Sequence, residues 1–357
     1  MLRRIVTYST IGLGIAVIIL SAIVFFQHKK LQYERIFFTV DNEVELQLTQ
    51  SGLPVVEKKI KEEGVFFPHA VAELKVYIPL SVSLDEVFVD LRDGFTSYKI
   101  QILKFKEENL KDTYNIHMEL GREKVLTHKL FLSLEKAKVA LLVDDFGYTK
   151  EDVLVRAFFE ELSIPFTLSI IPGTPHAQEI AEKAYEKKKQ ILVHMPMQPK
   201  GDFRNEYRWI ILEEMSEEEV EKQIREAIKS IPYAEGLNNH MGSLITTKRK
   251  LMQPVLRVLQ EKDMFFLDSR TSPLSIGYSL AKELGVKSTY NCVFLDNEKE
   301  KEHIENQFKK LISQALDTGW ALGLGHAHMT TASTLKKLIE NCDTRKINFV
   351  LASEISK

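Results

Sequence analysis

Asp144 and Asp145 close an apolar run, residues 139–143, and are followed by Phe146 and Gly147. Such a run reads as a strand buried on both faces. Two carboxylates at its C-terminal end are not packing residues, because a charge there needs water, a polar cleft or a cation. A helix N-cap would account for one Asp, not for two in succession. In open and barrel α/β folds, chemistry sits at the C-terminal ends of the strands. The pair is therefore a candidate for metal ligation or general acid–base work.

The same pattern recurs downstream. Residues 190–193 end in His194-Met195-Pro196-Met197-Gln198-Pro199, and Gly236-Leu237-Asn238-Asn239 leads into His240-Met241-Gly242-Ser243. Residues 264–267 end in Asp268-Ser269-Arg270-Thr271, and residues 321–324 in Gly325-His326-Ala327-His328. A single His near a strand end is ordinarily a satisfied structural residue. Five polar strand ends in one register predict a packed βα array that brings them to one rim. His176, after Pro172-Gly173-Thr174-Pro175, reads as a helix-start residue instead.

The elements between these ends alternate as a βα array requires. Helices are expected over 150–162, from Ser216 through Ile231 behind a Ser216/Glu219 capping box, over 248–262 with Pro254 inside, and over 300–316 and 332–341, with a last strand at 347–351. The motifs resemble the divergent polysaccharide deacetylase family, a distant branch of the carbohydrate esterases that deacetylate N-acetylated sugars. The matching pieces are Asp144-Asp145-x-Gly147, His194-x-Pro196-Met197-x-Pro199, Asn238-Asn239-His240-x-Gly242-Ser243, Phe266-x-Asp268-Ser269-x-Thr271 and Gly325-His326-x-His328. Each piece is weak alone; the ordered set is specific, and it covers roughly the last three-fifths of the chain. The resemblance implies an α/β fold, a distorted, incomplete (β/α) barrel, with a divalent metal, zinc foremost, on its C-terminal rim.

Mainstream polysaccharide deacetylases carry two metal-binding histidines a few residues apart after one strand. This chain has no such pair after Asp145, so a three-ligand site draws on separate strands, most simply Asp145, His194 and His240. Those nitrogen and carboxylate donors suit zinc. Asp144 is the expected general base. The resemblance places a histidine on the last rim strand, so His326 is the expected acid, with Asp268 orienting it and His328 as substitute. Asn239 and Ser243 are expected to hydrogen-bond substrate or support a ligand. Phe203, Tyr207, Trp209 and Tyr278 in rim loops are candidates for stacking on sugar rings.

The remaining sequence frames this domain. Residues 5–26 form an uncharged stretch of 22 residues flanked by Arg3-Arg4 and His28-Lys29-Lys30, about 33 Å long as a helix and enough to cross a bilayer. Its end, Val24-Phe25-Phe26-Gln27, has no small-x-small cleavage site. An uncleaved signal-anchor over 1–30 is expected, with the remainder extracytoplasmic: a single-pass protein facing an envelope glycan of polysaccharide or peptidoglycan type. Residues 31–137 alternate apolar and polar residues at 72–80, 114–120 and 130–134, with a helix capped by Ser83 and Glu86, striped by Leu84, Val87, Phe88 and Leu91, and stopped by Gly94. That predicts a small α+β domain with no site residues, followed by the barrel over 138–357.

A net charge of −2 argues against a nucleic-acid binder, because there is no basic excess to neutralise phosphates. Cys292 and Cys342 have no metal-knuckle spacing. No phosphate loop, dinucleotide fingerprint or G-x-S-x-G elbow is present. Three functions stand: a metal-dependent deacetylase, a catalytically weak barrel serving as an anchored carbohydrate-binding or envelope-assembly factor, and another metal hydrolase such as a phosphoesterase.

Overall fold

A computed structural model describes residues 2–357; Met1, the first residue of the expected anchor, lies outside them. The chain divides into two compact units, one ending at Lys136 and the other beginning at Ala137.

The first unit opens with one continuous helix, α1 (Leu2–Gln50). No Gly or Pro interrupts residues 15–51, and the helix stops where Gly52 takes φ 69° just ahead of Pro54. The expected boundary at residue 30 therefore falls inside an unbroken helix. The two halves of α1 differ in packing: Leu13, Ile18 and Phe25 are exposed, whereas Ile36, Phe37, Val40, Val44 and Leu48 are buried in the core. Their spacing of three or four residues gives one apolar stripe. Among the described residues, α1 is the one helix long and apolar enough to cross a membrane.

The stripe packs with α2 (Leu84–Ser97) on a five-stranded sheet of β1 (Val55–Glu63), β2 (His69–Tyr77), β3 (Gln101–Asn109), β4 (Thr113–Arg122) and β5 (Val125–Glu135). The strand order is β1-β2-β5-β4-β3, with β2 and β5 parallel and the other pairs antiparallel. Leu74 and Val76, Ile116 and Leu120, and Leu130 and Leu132 face the helices, the period of two seen in the sequence. Gly94 does not stop α2, which runs on to Ser97. A Cβ at Gly94 would lie 1.9 Å from Gln47 Oε1; the glycine is there for the close approach of α1. Ser83 caps α2 by accepting from the Glu86 N–H at 3.4 Å.

The second unit is a parallel β/α array. It comprises β6 (Ala137–Phe146), β7 (Thr167–Ile170), β8 (Gln190–Met197), β9 (Ala234–Met241), β10 (Phe265–Asp268), β11 (Ser288–Tyr290), β12 (Val293–Phe294), β13 (Trp320–His326) and β14 (Ile347–Val350). Its helices are α3 (Asp152–Phe159), α4 (Ala177–Glu186), α5 (Glu217–Ser230), α6 (Arg249–Glu261), α7 (Gly277–Glu283), α8 (Lys301–Thr318) and α9 (Met329–Glu340). Both arms of the expected Ser216/Glu219 capping box form at the start of α5. The nine-stranded sheet runs β11-β10-β9-β8-β7-β6-β13-β12, with β14 also on β6. Its two edge strands, β11 and β12, are separated in sequence by residues 291–292 alone. The sheet therefore curls until its edges are joined by chain and not by ladder bonds: a distorted, incomplete barrel, as expected.

Candidate metal centre

Parallel pairing sets the lateral neighbours of the polar strand ends. His326 on β13 lies opposite Asp144 on β6, and His194 on β8 opposite Asn238 on β9. Successive strand residues normally point to opposite faces, which would separate Asp144 from Asp145. Two local features defeat that. The β6–β7 register shifts between Val143 and Phe146, a bulge, and Asp145 takes φ 68°, a left-handed conformation that Asp tolerates better than most residues. Both carboxylates then approach one nitrogen: Asp144 Oδ2 lies 3.4 Å and Asp145 Oδ1 3.2 Å from His194 Nε2. Gly147 follows with φ 115°, where a Cβ would meet Thr174 Oγ1 at 2.2 Å. Met241 and Arg270, at the ends of β9 and β10, are also left-handed. Asp145, Met241 and Arg270 are thus left-handed on the rim, while Lys188, Tyr233 and Asp263, ahead of β8, β9 and β10, take the same conformation at the opposite end of the sheet.

Asp145, His194 and His240 form a triangle. His240 Nδ1 is 3.1 Å from Asp145 Oδ1 and 3.1 Å from His194 Nε2. Their hydrogen-bond partners fix the tautomers. Asn238 turns its Nδ2 to Asp144, at 3.0 and 3.2 Å, so its Oδ1 accepts from His194 Nδ1 at 3.0 Å. The Tyr207 hydroxyl lies 2.8 Å from His240 Nε2 and also bonds Tyr148. With Tyr207 donating to Tyr148, its oxygen accepts from His240. His194 Nε2 and His240 Nδ1 therefore present lone pairs to the centre.

Asp145 Oδ1 is buried and has no hydrogen-bond donor. With both rings neutral in these tautomers, three electron-rich atoms about 3 Å apart face one another, an arrangement that a proton or a cation at the centre stabilises. The donor set, two imidazole nitrogens and one carboxylate oxygen, is one that zinc accepts in open catalytic sites. Among the described residues, these three form the one cluster of metal-ligating side chains. The residues fit a divalent cation.

Electrostatics point the same way. Burial raises the Asp145 carboxyl, but the His194 and His240 rings outweigh it and hold it well below the usual carboxylate range. Burial disfavours a charged His194, yet Asp144 and Asp145 reverse that and raise its pKa. The centre attracts positive charge, as proton or as metal. Burial pushes Asp144 above the ordinary carboxylate value, despite His194 and a hydrogen bond from Ser169 to Oδ1.

The expected support for His326 needs correcting. His326 Nδ1 is 2.7 Å from Asp296 Oδ1, and Asp296 Oδ2 accepts from the His326 N–H at 2.8 Å and from Thr331 Oγ1 at 2.7 Å. Burial lowers the imidazolium pKa, but the Asp296 hydrogen bond and charge outweigh it and raise the ring to about 9. Asp268 is not its partner. It accepts from the Arg270 N–H, Ser275 Oγ and the Tyr278 N–H at 2.9, 2.7 and 3.1 Å, tying down the loop into α7. Asp296 follows the short run 292–295, a sixth apolar stretch ended by an Asp or His and the third ended by a carboxylate.

Asn239 and Ser243 also act elsewhere. Asn239 accepts from the Ser269 N–H at 3.0 Å and donates to Met241 O at 2.7 Å, stitching β9 to β10. Ser243 Oγ accepts from the Lys200 N–H at 2.9 Å, joining two rim loops. The residue that binds both His194 and Asp144 is Asn238. His328 is the N-cap residue of α9, its ring 6.3 Å from that of His326. His176 is the N-cap residue of α4. Of the loop aromatics, Tyr207 is committed to His240, and Arg208 lies over the ring of Trp209 at 4.5 Å.

A family model described as divergent polysaccharide deacetylase matches residues 141–356. The chain is similar to the uncharacterized protein YibQ of Escherichia coli (strain K12), 34% identical over 226 residues that cover 62% of this chain and 69% of that protein. It is also similar to an uncharacterized protein of Haemophilus influenzae, 37% identical over 210 residues, covering 58% of this chain and 73% of the relative. The crystal structure of an uncharacterized protein from Agrobacterium tumefaciens C58 shares the fold, with a TM-score of 0.58 at 21% identity over 62% of this chain and 89% of that one.

Proposed function

The chain belongs to the divergent polysaccharide deacetylase family, and from that premise we propose that its second domain is a metal-dependent hydrolase. It removes acetyl groups from N-acetylated or O-acetylated sugars of a polysaccharide or peptidoglycan-type glycan. The observation that carries this reading is Asp145 Oδ1, buried without a donor between two histidine lone pairs.

Asp145, His194 and His240 would hold a divalent cation, zinc by the donor set. When bound, the cation supplies Lewis acidity, polarising a carbonyl oxygen and making water nucleophilic at neutral pH. Asp144 takes the proton of the attacking water at Oδ2. Its Oδ1 accepts from Ser169 and from Asn238 at 3.0 Å, whereas Oδ2 takes only the longer Asn238 contact of 3.2 Å, and its raised pKa suits a base that must hold a proton during turnover. The leaving amine or alkoxide needs a proton in return. His326 donates it from Nε2, because Nδ1 is committed to Asp296 and the raised pKa keeps the ring charged at neutral pH. Asp296 orients the ring and stabilises its charge, as a carboxylate does for a catalytic imidazole in serine hydrolases.

The apolar part of α1 supports a single-pass membrane anchor. A glycan substrate supports domains outside the cytoplasm. Acetate release from chitooligosaccharide, acetylated xylan and peptidoglycan, with chelated and zinc-reloaded protein, tests the activity. Release that depends on zinc is expected. Zinc bound without release from any of the three would overturn the hydrolase and favour an anchored glycan-binding role.

A further inference from the structure

The β1–β2 hairpin ends in Gly64-Val65-Phe66-Phe67-Pro68. Val65 is 91% and Phe66 81% exposed, among the most exposed large apolar residues of the described chain. Two such residues side by side on a projecting tip call for a partner.

The hairpin has a defined direction along α1. Near its base, Lys58 Nζ bonds Asp41 at 2.7 Å and Glu45 at 2.8 Å. At its tip, the Phe67 ring lies 5.2 Å from that of Phe26 and 6.1 Å from those of Phe25 and Tyr33. The hairpin therefore runs back along the helix by roughly 20–30 Å, at about 1.5 Å per helical and 3.3 Å per strand residue. It stops where the apolar stretch of α1 ends. The tip is built, not slack. His69 bonds Phe67 O and Leu126 O, each at 3.0 Å, and Gly64 takes φ 109° where a Cβ would meet Phe67 O at 2.7 Å.

Basic groups gather at the same level. His28, Lys29 and Lys30 follow the apolar stretch. The β4–β5 turn, which carries Lys124, is held there by Gln32 Nε2 donating to Glu123 at 3.3 Å. Aromatic rings at the end of an apolar helix, an apolar tip beside them and a basic flank are the chemistry of the bilayer interface.

We propose that Val65 and Phe66 form a second membrane contact, dipping into the bilayer interface beside the end of the apolar helix and fixing how the first domain stands on the membrane. This rests on the reading of α1 as an anchor.

The test uses the full chain with Cys292→Ser and Cys342→Ser, reconstituted in phosphatidylcholine/phosphatidylglycerol vesicles. A polarity-sensitive fluorophore is attached at Val65→Cys, at Ile18→Cys in the apolar stretch, or at Val56→Cys, exposed at the far end of β1. The expected result is blue-shifted emission, quenched by nitroxide-labelled lipid, at 65 and 18 and a water-like signal at 56. A water-like signal at 65 with 18 in lipid would overturn the hairpin contact, leave the anchor intact and point to a protein partner for the tip. Water-like signals at both 65 and 18 would overturn both. Lipid quenching at 56 as strong as at 65 would mean indiscriminate adsorption and would also overturn the contact.

Discussion

Each domain sets an aspartate against a buried histidine, and the two pairs are finished differently. In the first domain, Asp41 meets the buried His128 at 2.9 Å, and His128 stacks on Phe37 with ring planes 6° apart. Lys58 completes the group, its ammonium 2.7 and 2.8 Å from the two Asp41 oxygens. The chain supplies its own cation there. In the second domain, Asp145 meets His194 and His240, yet no lysine or arginine reaches its buried Oδ1 among the described residues. An Asp–His pair is therefore no sign of a metal site in itself. The sign is a buried carboxylate oxygen whose neighbours are all lone pairs.

Removing the aspartate should separate the two cases most sharply. Asp145→Asn keeps a residue that tolerates the left-handed backbone. It should abolish metal binding and lower acetate release by about 10³-fold or more, given the Lewis-acid role, with little change in the thermal melt. Asp41→Ala should leave metal content unchanged and destabilise the first domain by about 1–3 kcal/mol, the cost of a buried polar group without its partner. Elemental analysis beside denaturant unfolding reads both. Equal metal loss in the two variants would erase the distinction.

Within the second domain, His326→Ala should lower kcat by about 10²–10⁴-fold, the range for general acid catalysis, while zinc content stays that of the wild type. Loss of metal in this variant would make His326 a ligand.

A smaller effect is expected at Asp296. The wild-type pH profile should fall as pH rises through about 9, where His326 loses its raised-pKa proton. Asp296→Asn removes the interaction that raises it, so the basic limb should move down toward the ordinary histidine value of ~6.5. Asp268→Asn should lower stability but leave that limb in place. A shift in the Asp268 variant alone would restore the pairing expected from sequence.

The mildest effect is expected from Tyr207→Phe. It leaves His240 Nε2 without its hydroxyl partner and should weaken zinc binding by roughly tenfold, the usual consequence of losing a ligand's outer hydrogen bond. Competition with a chromogenic chelator measures it.

How much of this was legible follows from local rules. Apolar runs ending in Asp or His gave the strands, the rim and the expected triad, because parallel strands buried on both faces leave their ends as the one polar place. Asp296 was missed because its strand, β12, is two residues long and shows no period. Asn238 was passed over for Asn239, although period two puts Asn238 and His240 on one face; that signal was available. The convergence of Asp144 and Asp145 could not be read from the same period, since it depends on a bulge and a left-handed residue. In the first domain, Ile36, Val40, Val44 and Leu48 carried a helical stripe that continues the apolar N-terminal helix into the core, and the charged flank at residues 28–30 hid it. Gly94 looked like a helix stop because its reason, the Gln47 side chain, lies far away in sequence.

The most direct measurement is the metal content of the purified full chain after equilibration with zinc and removal of free ion, for wild type, Asp145→Asn and Asp41→Asn. Close to one zinc per chain in wild type and Asp41→Asn, and none in Asp145→Asn, is the predicted result. A folded wild type that holds no zinc, or an Asp145→Asn variant that holds as much as wild type, would contradict it.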